Sequence, residues 1–134
     1  MRALIVEDNF TNRKILQRFL KDISETDIAV DGVEAVAAFK TALDEKAPYD
    51  VIFLDIMMPN KDGMEVLREI RQYEQELGIM GLDGVKVIMT SALEGNHDIL
   101  NAFKAGCEAY IVKPYTRSDI NSKLAELGCL HEVS

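Results

Sequence analysis

Cations are in short supply in this sequence: 15 Lys and Arg stand against 23 Asp and Glu, a formal net charge of −8 over 134 residues. That balance repels a phosphate backbone, and no stretch offers more than two adjacent cations, so direct nucleic-acid binding is not expected. Long apolar runs are missing too. They break after four to six residues, far short of the roughly 20 needed to cross a bilayer, so no membrane contact is expected. The opening Met1-Arg2-Ala3-Leu4-Ile5-Val6-Glu7-Asp8 lacks the extended apolar segment of a secretion signal. The only cysteines, Cys107 and Cys129, are too far apart for a disulfide framework or a CxxC zinc knuckle, and read as reduced thiols of a cytoplasmic protein. There is no tryptophan, no repeat and no Pro/Gly/Ser-rich linker. One domain over residues 1–128 and a short tail over 129–134 are therefore expected. With 48% hydrophobic and 28% charged residues, the chain has the composition of a folded domain rather than a disordered one.

What is present is an alternation. Apolar runs at Ala3–Val6, Ile28–Val30, Val51–Leu54, Val85–Met89 and Ala109–Val112 fit buried strands. Between them lie helical stripes: Ile15, Leu16, Phe19 and Leu20; Val33, Val36, Ala37 and Leu43; Val66, Leu67, Ile70 and Tyr73; Ile99, Leu100 and Phe103; Ile120, Leu124 and Leu127. Thr116 and Asp119 have capping-box spacing, and Gly128 sits where the last helix should stop. Asp31-Gly32, Asp62-Gly63 and Asp83-Gly84 read as turns or helix starts. Strands that are apolar throughout imply a five-stranded parallel α/β sheet, doubly wound, with helices on both faces. The stretch Glu74–Gly84 is expected to be a surface loop.

In such a sheet, ligands bind beyond the carboxyl ends of the strands. Four of the five runs end in chemistry-bearing residues: Glu7 and Asp8, Asp55, Thr90 and Ser91, and Lys113 before Pro114. An Asp after one strand is ordinarily a turn residue; four strand ends agreeing is a pattern. Three carboxylates held together repel unless a cation joins them, and a hard divalent ion of the Mg²⁺ type suits oxygen ligands. An ammonium and a hydroxyl beside them complete a receptor for a phosphoryl group, with a carboxylate as nucleophile. Asp55, alone at the end of a central strand, is the candidate nucleophile, leaving Glu7 and Asp8 to hold the metal.

Glu7-Asp8, Asp55-Ile56-Met57-Met58-Pro59 with Asp62-Gly63, Ser91-Ala92 and Lys113-Pro114 together resemble a response-regulator receiver domain of two-component signalling, over roughly Arg2 to Leu127. The resemblance implies the flavodoxin-like strand order 2-1-3-4-5. It implies that Asp55 accepts a phosphoryl group from a histidine kinase or histidine phosphotransfer protein. Glu7, Asp8, Asp55 and the backbone carbonyl of Met57 would bind Mg²⁺. Ser91, chosen over Thr90 because Ala92 follows it, would follow the phosphoryl oxygen, and Lys113 would pair with it. Ser91 and Tyr110 would form the switch, a cis peptide would precede Pro114, and a downstream protein would read the face of the fourth helix, fifth strand and fifth helix. The protein would be no enzyme beyond phosphorylating and dephosphorylating its own Asp55. A stand-alone, chemotaxis-regulator-like receiver is expected; a phosphorelay intermediate and a fragment of a larger regulator are the alternatives.

Other classes fit less well. An aspartyl phosphohydrolase needs a second acid two residues after its nucleophile, where Met57 stands. A flavin module wants a Ser/Thr/Gly-rich first loop, and Glu7-Asp8-Asn9-Phe10 would repel its phosphate. A degenerate receiver would lack part of the set Glu7, Asp8, Asp55, Ser91 and Lys113. His97 and His131 lie outside the strand-end cluster and read as solvated. The five phenylalanines fall at core-compatible spacings, and Met58 and Met64 read as loop or core packing. Met57 and Leu93, two beyond Asp55 and Ser91, are apolar where the resemblance places the path of the hydrolytic water.

Overall fold

The computed structural model describes residues 1–79 and 81–130; His131, read above as solvated, and the rest of the tail from 131 lie outside them. Five strands and five helices alternate: β1 (Arg2–Val6), α1 (Phe10–Leu20), β2 (Glu25–Ala29), α2 (Gly32–Asp44), β3 (Val51–Asp55), α3 (Gly63–Glu76), β4 (Lys86–Ser91), α4 (Asn96–Ala105), β5 (Ala109–Val112) and α5 (Arg117–Glu126), with a 3₁₀ turn at Gly81–Asp83 before β4. All pairings are parallel and the order is β2-β1-β3-β4-β5.

Strand alternation sends successive residues to opposite faces. Leu4, Val6, Ile52, Leu54, Val87 and Met89 pack against Ala35, Val36 and Phe39 of α2, Val66, Leu67 and Ile70 of α3, and Ala102 of α4. Ala3, Ile5, Val51, Phe53, Ile88 and Ile111 pack against Leu16 and Leu20 of α1 and Ile120 and Leu124 of α5. The chain leaves β1 toward β2 and then crosses back over β1 to β3. The loops after β1 and β3 therefore diverge and open a crevice at the carboxyl end of the sheet.

Caps fix where the helices begin. Asn9, Asp31, Asp62 and Thr116 each accept a first-turn backbone N–H, and Thr116 with Asp119 forms the expected capping box. Gly128, with φ of 75°, follows the end of α5 as expected.

Several expectations shift. Strand β2 begins at Glu25 and ends before Val30, because an edge strand needs apolar residues on one side only. The second stripe is rotated: Val33 and Ala37 face solvent, and Ala35, Phe39 and Ala42 take the core. On α4 only Ala102 is buried, while Leu100 and Phe103 point outward. Phe10, expected in the core, is 63% exposed and is flanked instead by Arg13 and Lys14, 5.5 and 5.4 Å from its ring centre. Cys129 and Leu130, expected in the tail, pack half-buried against the α1/α5 layer.

The expected surface loop Glu74–Gly84 is the largest departure, since α3 runs on to Glu76 and the Glu74 side chain is buried. Its Oε2 accepts the Val85 N–H at 2.7 Å, and Arg71 Nη1 donates to its Oε1 at 2.6 Å. Strand β5 pairs with β4 only from Ile88 onward. Below that point Glu108 Oε2 accepts the Val87 N–H at 2.6 Å, and Arg71 Nη2 donates to the same carboxylate. Two carboxylates thus occupy N–H groups that a longer β5 would have met, and one guanidinium pairs with both.

Candidate functional site

The crevice collects the strand-end residues. Glu7 and Asp55 are 4% and 5% exposed, whereas Asp8 reaches solvent. One carboxylate oxygen from each of Glu7, Asp8 and Asp55 lies within 4.8 Å of the others, the arrangement a single cation requires. Lys113 enters from the end of β5, its Nζ 2.7 Å from Glu7 Oε1 and 3.3 Å from Asp55 Oδ2. One ammonium facing three carboxylates leaves a surplus of negative charge, and oxygen donors with one exposed ligand suit Mg²⁺, which keeps several waters. The residues present fit that ion.

The main chain supports these side chains. Met57 N–H donates to Asp55 Oδ1 at 3.2 Å, folding the start of the β3–α3 loop back over the carboxylate. Asn9 N–H donates to Glu7 Oε2 at 3.3 Å, and Arg13 Nη1 to the Glu7 carbonyl at 3.1 Å. Gly63 N–H donates to the Ile56 carbonyl at 2.8 Å, closing the neck of the β3–α3 loop. The Lys113–Pro114 peptide is cis, and Lys113 N–H donates to the Ser91 carbonyl at 2.7 Å, tying the ends of β4 and β5 together.

The electrostatics follow from burial and crowding. Burial, followed by the hydrogen bond and charge of Asp55, raises the Glu7 pKa above its ordinary 4.5, outweighing the lowering by Lys113. Burial alone would lower the Lys113 pKa; Glu7 and Asp55 outweigh it and hold the ammonium charged. Burial and then the negative charges of Glu7 and Asp55 push the Tyr115 phenol up to about 12.

Ser91 is fully buried, and its Oγ accepts the Leu93 N–H at 3.0 Å. Tyr110, half-buried, donates its hydroxyl to the Leu93 carbonyl at 2.7 Å. The two expected switch residues therefore hold one residue of the β4–α4 loop between them. Thr90, the rejected hydroxyl, is also buried and sits opposite Asp55 in the β3–β4 register. Met57 is 62% exposed at the rim, whereas Leu93 packs against the α2–α4 layer. His97 lies on α4 with its Nε2 3.1 Å from Asn101 Nδ2, away from the cluster. Among the described residues no helix is long and apolar enough to cross a membrane.

Sequence reasoning missed the support beneath the site. The Asp31–Asn60 contact, with Asn60 Nδ2 donating to Asp31 Oδ2 at 3.3 Å, joins the β2–α2 turn to the β3–α3 loop. Asp31-Gly32 and Asp62-Gly63 marked both segments as turns or helix starts, but their pairing is a long-range contact that spacing does not encode.

The family model for the response regulator receiver domain matches residues 3–125. Chemotaxis protein CheY-3 of Vibrio cholerae is 33% identical over 129 residues, covering 95% of this chain and 91% of that protein. Hybrid signal transduction histidine kinase L of Dictyostelium discoideum is 35% identical over 128 residues, but this chain spans only 7% of its length. A chain from the co-crystal structure of the Saccharomyces cerevisiae phosphotransfer protein Ypd1 with the receiver domain of its downstream response regulator Ssk1 superimposes with a TM-score of 0.83. It is 30% identical, with 96% of this chain and 89% of that one covered. From the order of its strands to the residues at their ends, this chain belongs to the response regulator receiver family of two-component signalling.

Proposed function

We propose that the protein accepts a phosphoryl group on Asp55 from the phosphohistidine of a histidine kinase or phosphotransfer protein, with Mg²⁺ bound by Glu7, Asp8, Asp55 and the Met57 carbonyl. The observation that carries this reading is the meeting of three carboxylates and Lys113 at one point of the sheet. An Asp55 oxygen forms the new O–P bond as the P–N bond of the donor breaks, and the departing imidazole nitrogen keeps the electron pair. Bound Mg²⁺ would neutralise the carboxylates and the charge that builds on the phosphoryl oxygens. Lys113 is placed to leave Glu7 and Asp55 for a phosphoryl oxygen, a charge-assisted contact available only after transfer.

The output runs through Leu93. A Ser91 hydroxyl drawn toward the phosphoryl group gives up its place beneath the Leu93 N–H, and Tyr110 then repositions with the Leu93 carbonyl. That biases the β4–α4 loop between two states, using contacts that only the phosphorylated protein offers. The exposed Leu100 and Phe103 of α4 lie on the face a downstream protein would read.

Incubation with a small acyl phosphate and Mg²⁺ tests the reading. One phosphoryl group should appear by mass in the parent and be lost in Asp55→Asn. Equal labelling without Mg²⁺, or of the variant, overturns it.

A further inference from the structure

The β3–α3 loop carries Met57, whose N–H holds Asp55 Oδ1, so whatever fixes this loop fixes part of the site. Its neck is closed at Gly63, where an added Cβ would lie 2.8 Å from Ile56 Cα and nearer still to the Asp55 carbonyl oxygen. Its middle leans on a different part of the chain, the turn between β2 and α2. Asp31 uses one carboxylate oxygen to cap α2, accepting the Glu34 N–H at 2.8 Å, and the other to accept Asn60 Nδ2 at 3.3 Å. Asn60 itself has φ of 69°, in the left-handed region that asparagine tolerates better than most residues.

Gly32 stands beside this contact. A Cβ there would lie 2.7 Å from both Lys61 Cβ and Val66 Cγ2, and closer still to the Lys61 carbonyl oxygen. Its φ is not among the positive ones, so the demand at Gly32 is for space rather than for an unusual backbone. The obstacles are a loop carbonyl and a fully buried β-branched side chain, neither of which yields without moving the loop or α3.

We infer that Asp31, Gly32 and Asn60 form a seat that positions the β3–α3 loop, and through it the Met57 main chain and Asp55, for metal binding and phosphoryl transfer. The inference rests on the reading of Asp55 as the metal-assisted acceptor and deepens it. None of the three touches Asp55; they are positioning residues acting through the loop. Supporting groups around metal sites typically change affinity by about 10–100-fold when lost.

The test uses the whole chain with Gly32→Ala, Asn60→Gly and Asn60→Ala. Glycine at position 60 keeps the positive φ and loses only the bond to Asp31; alanine loses both. A cooperative melt first establishes that each variant is folded, and the Asn60 pair decides the matter if Gly32→Ala is not. Mg²⁺ titration followed by the amide shifts of Asp55 and Met57 gives affinity, and hydrogen exchange of the Met57 amide without Mg²⁺ gives loop order independent of metal. Gly32→Ala and Asn60→Ala should weaken Mg²⁺ binding about tenfold or more. Both should speed Met57 exchange while leaving Ala3–Val6 amides protected, with Asn60→Gly intermediate. Folded variants with parental Mg²⁺ affinity and parental Met57 protection overturn the inference alone. A parent that binds no Mg²⁺ overturns the metal reading of the site and the inference with it.

Discussion

Lys113 Nζ and Glu7 Oε1 meet at 2.7 Å although 106 residues separate them, so the first and last strands of the chain's order close the site from opposite sides. The same ammonium also faces Asp55. It stands among the carboxylates that could hold a metal ion, pairing with two of them and competing for their charge.

Lys113→Met separates the two roles. Removing one partner of a buried ion pair costs about 3–5 kcal/mol. Partial solvent access at Lys113 lowers this, and a loss of about 1–3 kcal/mol is expected in metal-free urea titrations. Saturating Mg²⁺ should raise the melting temperature more in the variant than in the parent, because the ion replaces a charge the variant lacks. An equal rise in both would show that Lys113 and the metal do not compete.

The Glu7 pKa is raised in the folded state, so its contribution to stability is full below the ordinary value of 4.5 and is lost as pH climbs through the raised value. Glutamine mimics the protonated form and escapes that loss. In Mg²⁺-free buffer the melting temperature of Glu7→Gln relative to the parent should therefore rise between acidic and neutral pH. A difference independent of pH refutes the titration of Glu7 in this range.

Glu74→Ala removes the acceptor of a buried N–H at Val85, and an orphaned donor of that kind costs about 1–3 kcal/mol. Glu76, two residues on and exposed, is the control, and Glu76→Ala should change stability by less than about 0.5 kcal/mol. Urea midpoints of the two variants compare them directly. Similar midpoints would remove Glu74 from the structural core.

Hydrolysis of an acyl phosphate needs a water in line with the O–P bond, and the proposed Asp55 phosphate would be flanked by Met57 and Leu93. The thioether of Met57 and the isobutyl group of Leu93 offer that water no strong hydrogen bond, so slow autodephosphorylation is expected. Met57→Asn with Leu93→Glu should accelerate decay about tenfold or more, since 1.4 kcal/mol is a factor of ten in rate. Leu93 packs against the α2–α4 layer, so Met57→Asn alone, at an exposed position, checks the direction without disturbing the core. Unchanged or slower decay in both variants would show that these side chains do not set the rate.

The central architecture is legible in the sequence because β1, β3 and β4 are covered on both faces: Ala3–Val6 and Val51–Leu54 are apolar at every position, and the residues that end those runs are the ones the crevice gathers. At the margins the pattern thins. Edge strand β2 buries one side only, so Glu25-Thr26-Asp27 reads as loop. On α4 a single buried alanine leaves Leu100 and Phe103 outside, so hydrophobicity there does not mark the core. Glu74 reads as the start of a surface loop, because its partners Val85 and Arg71 are defined by tertiary packing. The seat formed by Asp31, Gly32 and Asn60 was hidden for the same reason: each half is an ordinary turn, and the contact between them is made by the fold.

The short fifth strand has a consequence for how copies of this protein coexist. Uncovered strand amides are templates on which another chain can add a strand, the first step toward swapped or aggregated species. Here the N–H groups of Val85, just before β4, and Val87, within it, are already taken by Glu74 and Glu108, and an intruding strand would have to displace a carboxylate from each. Below Ile88 this side of the sheet therefore presents carboxylates and hydrogen bonds already made, rather than free strand amides.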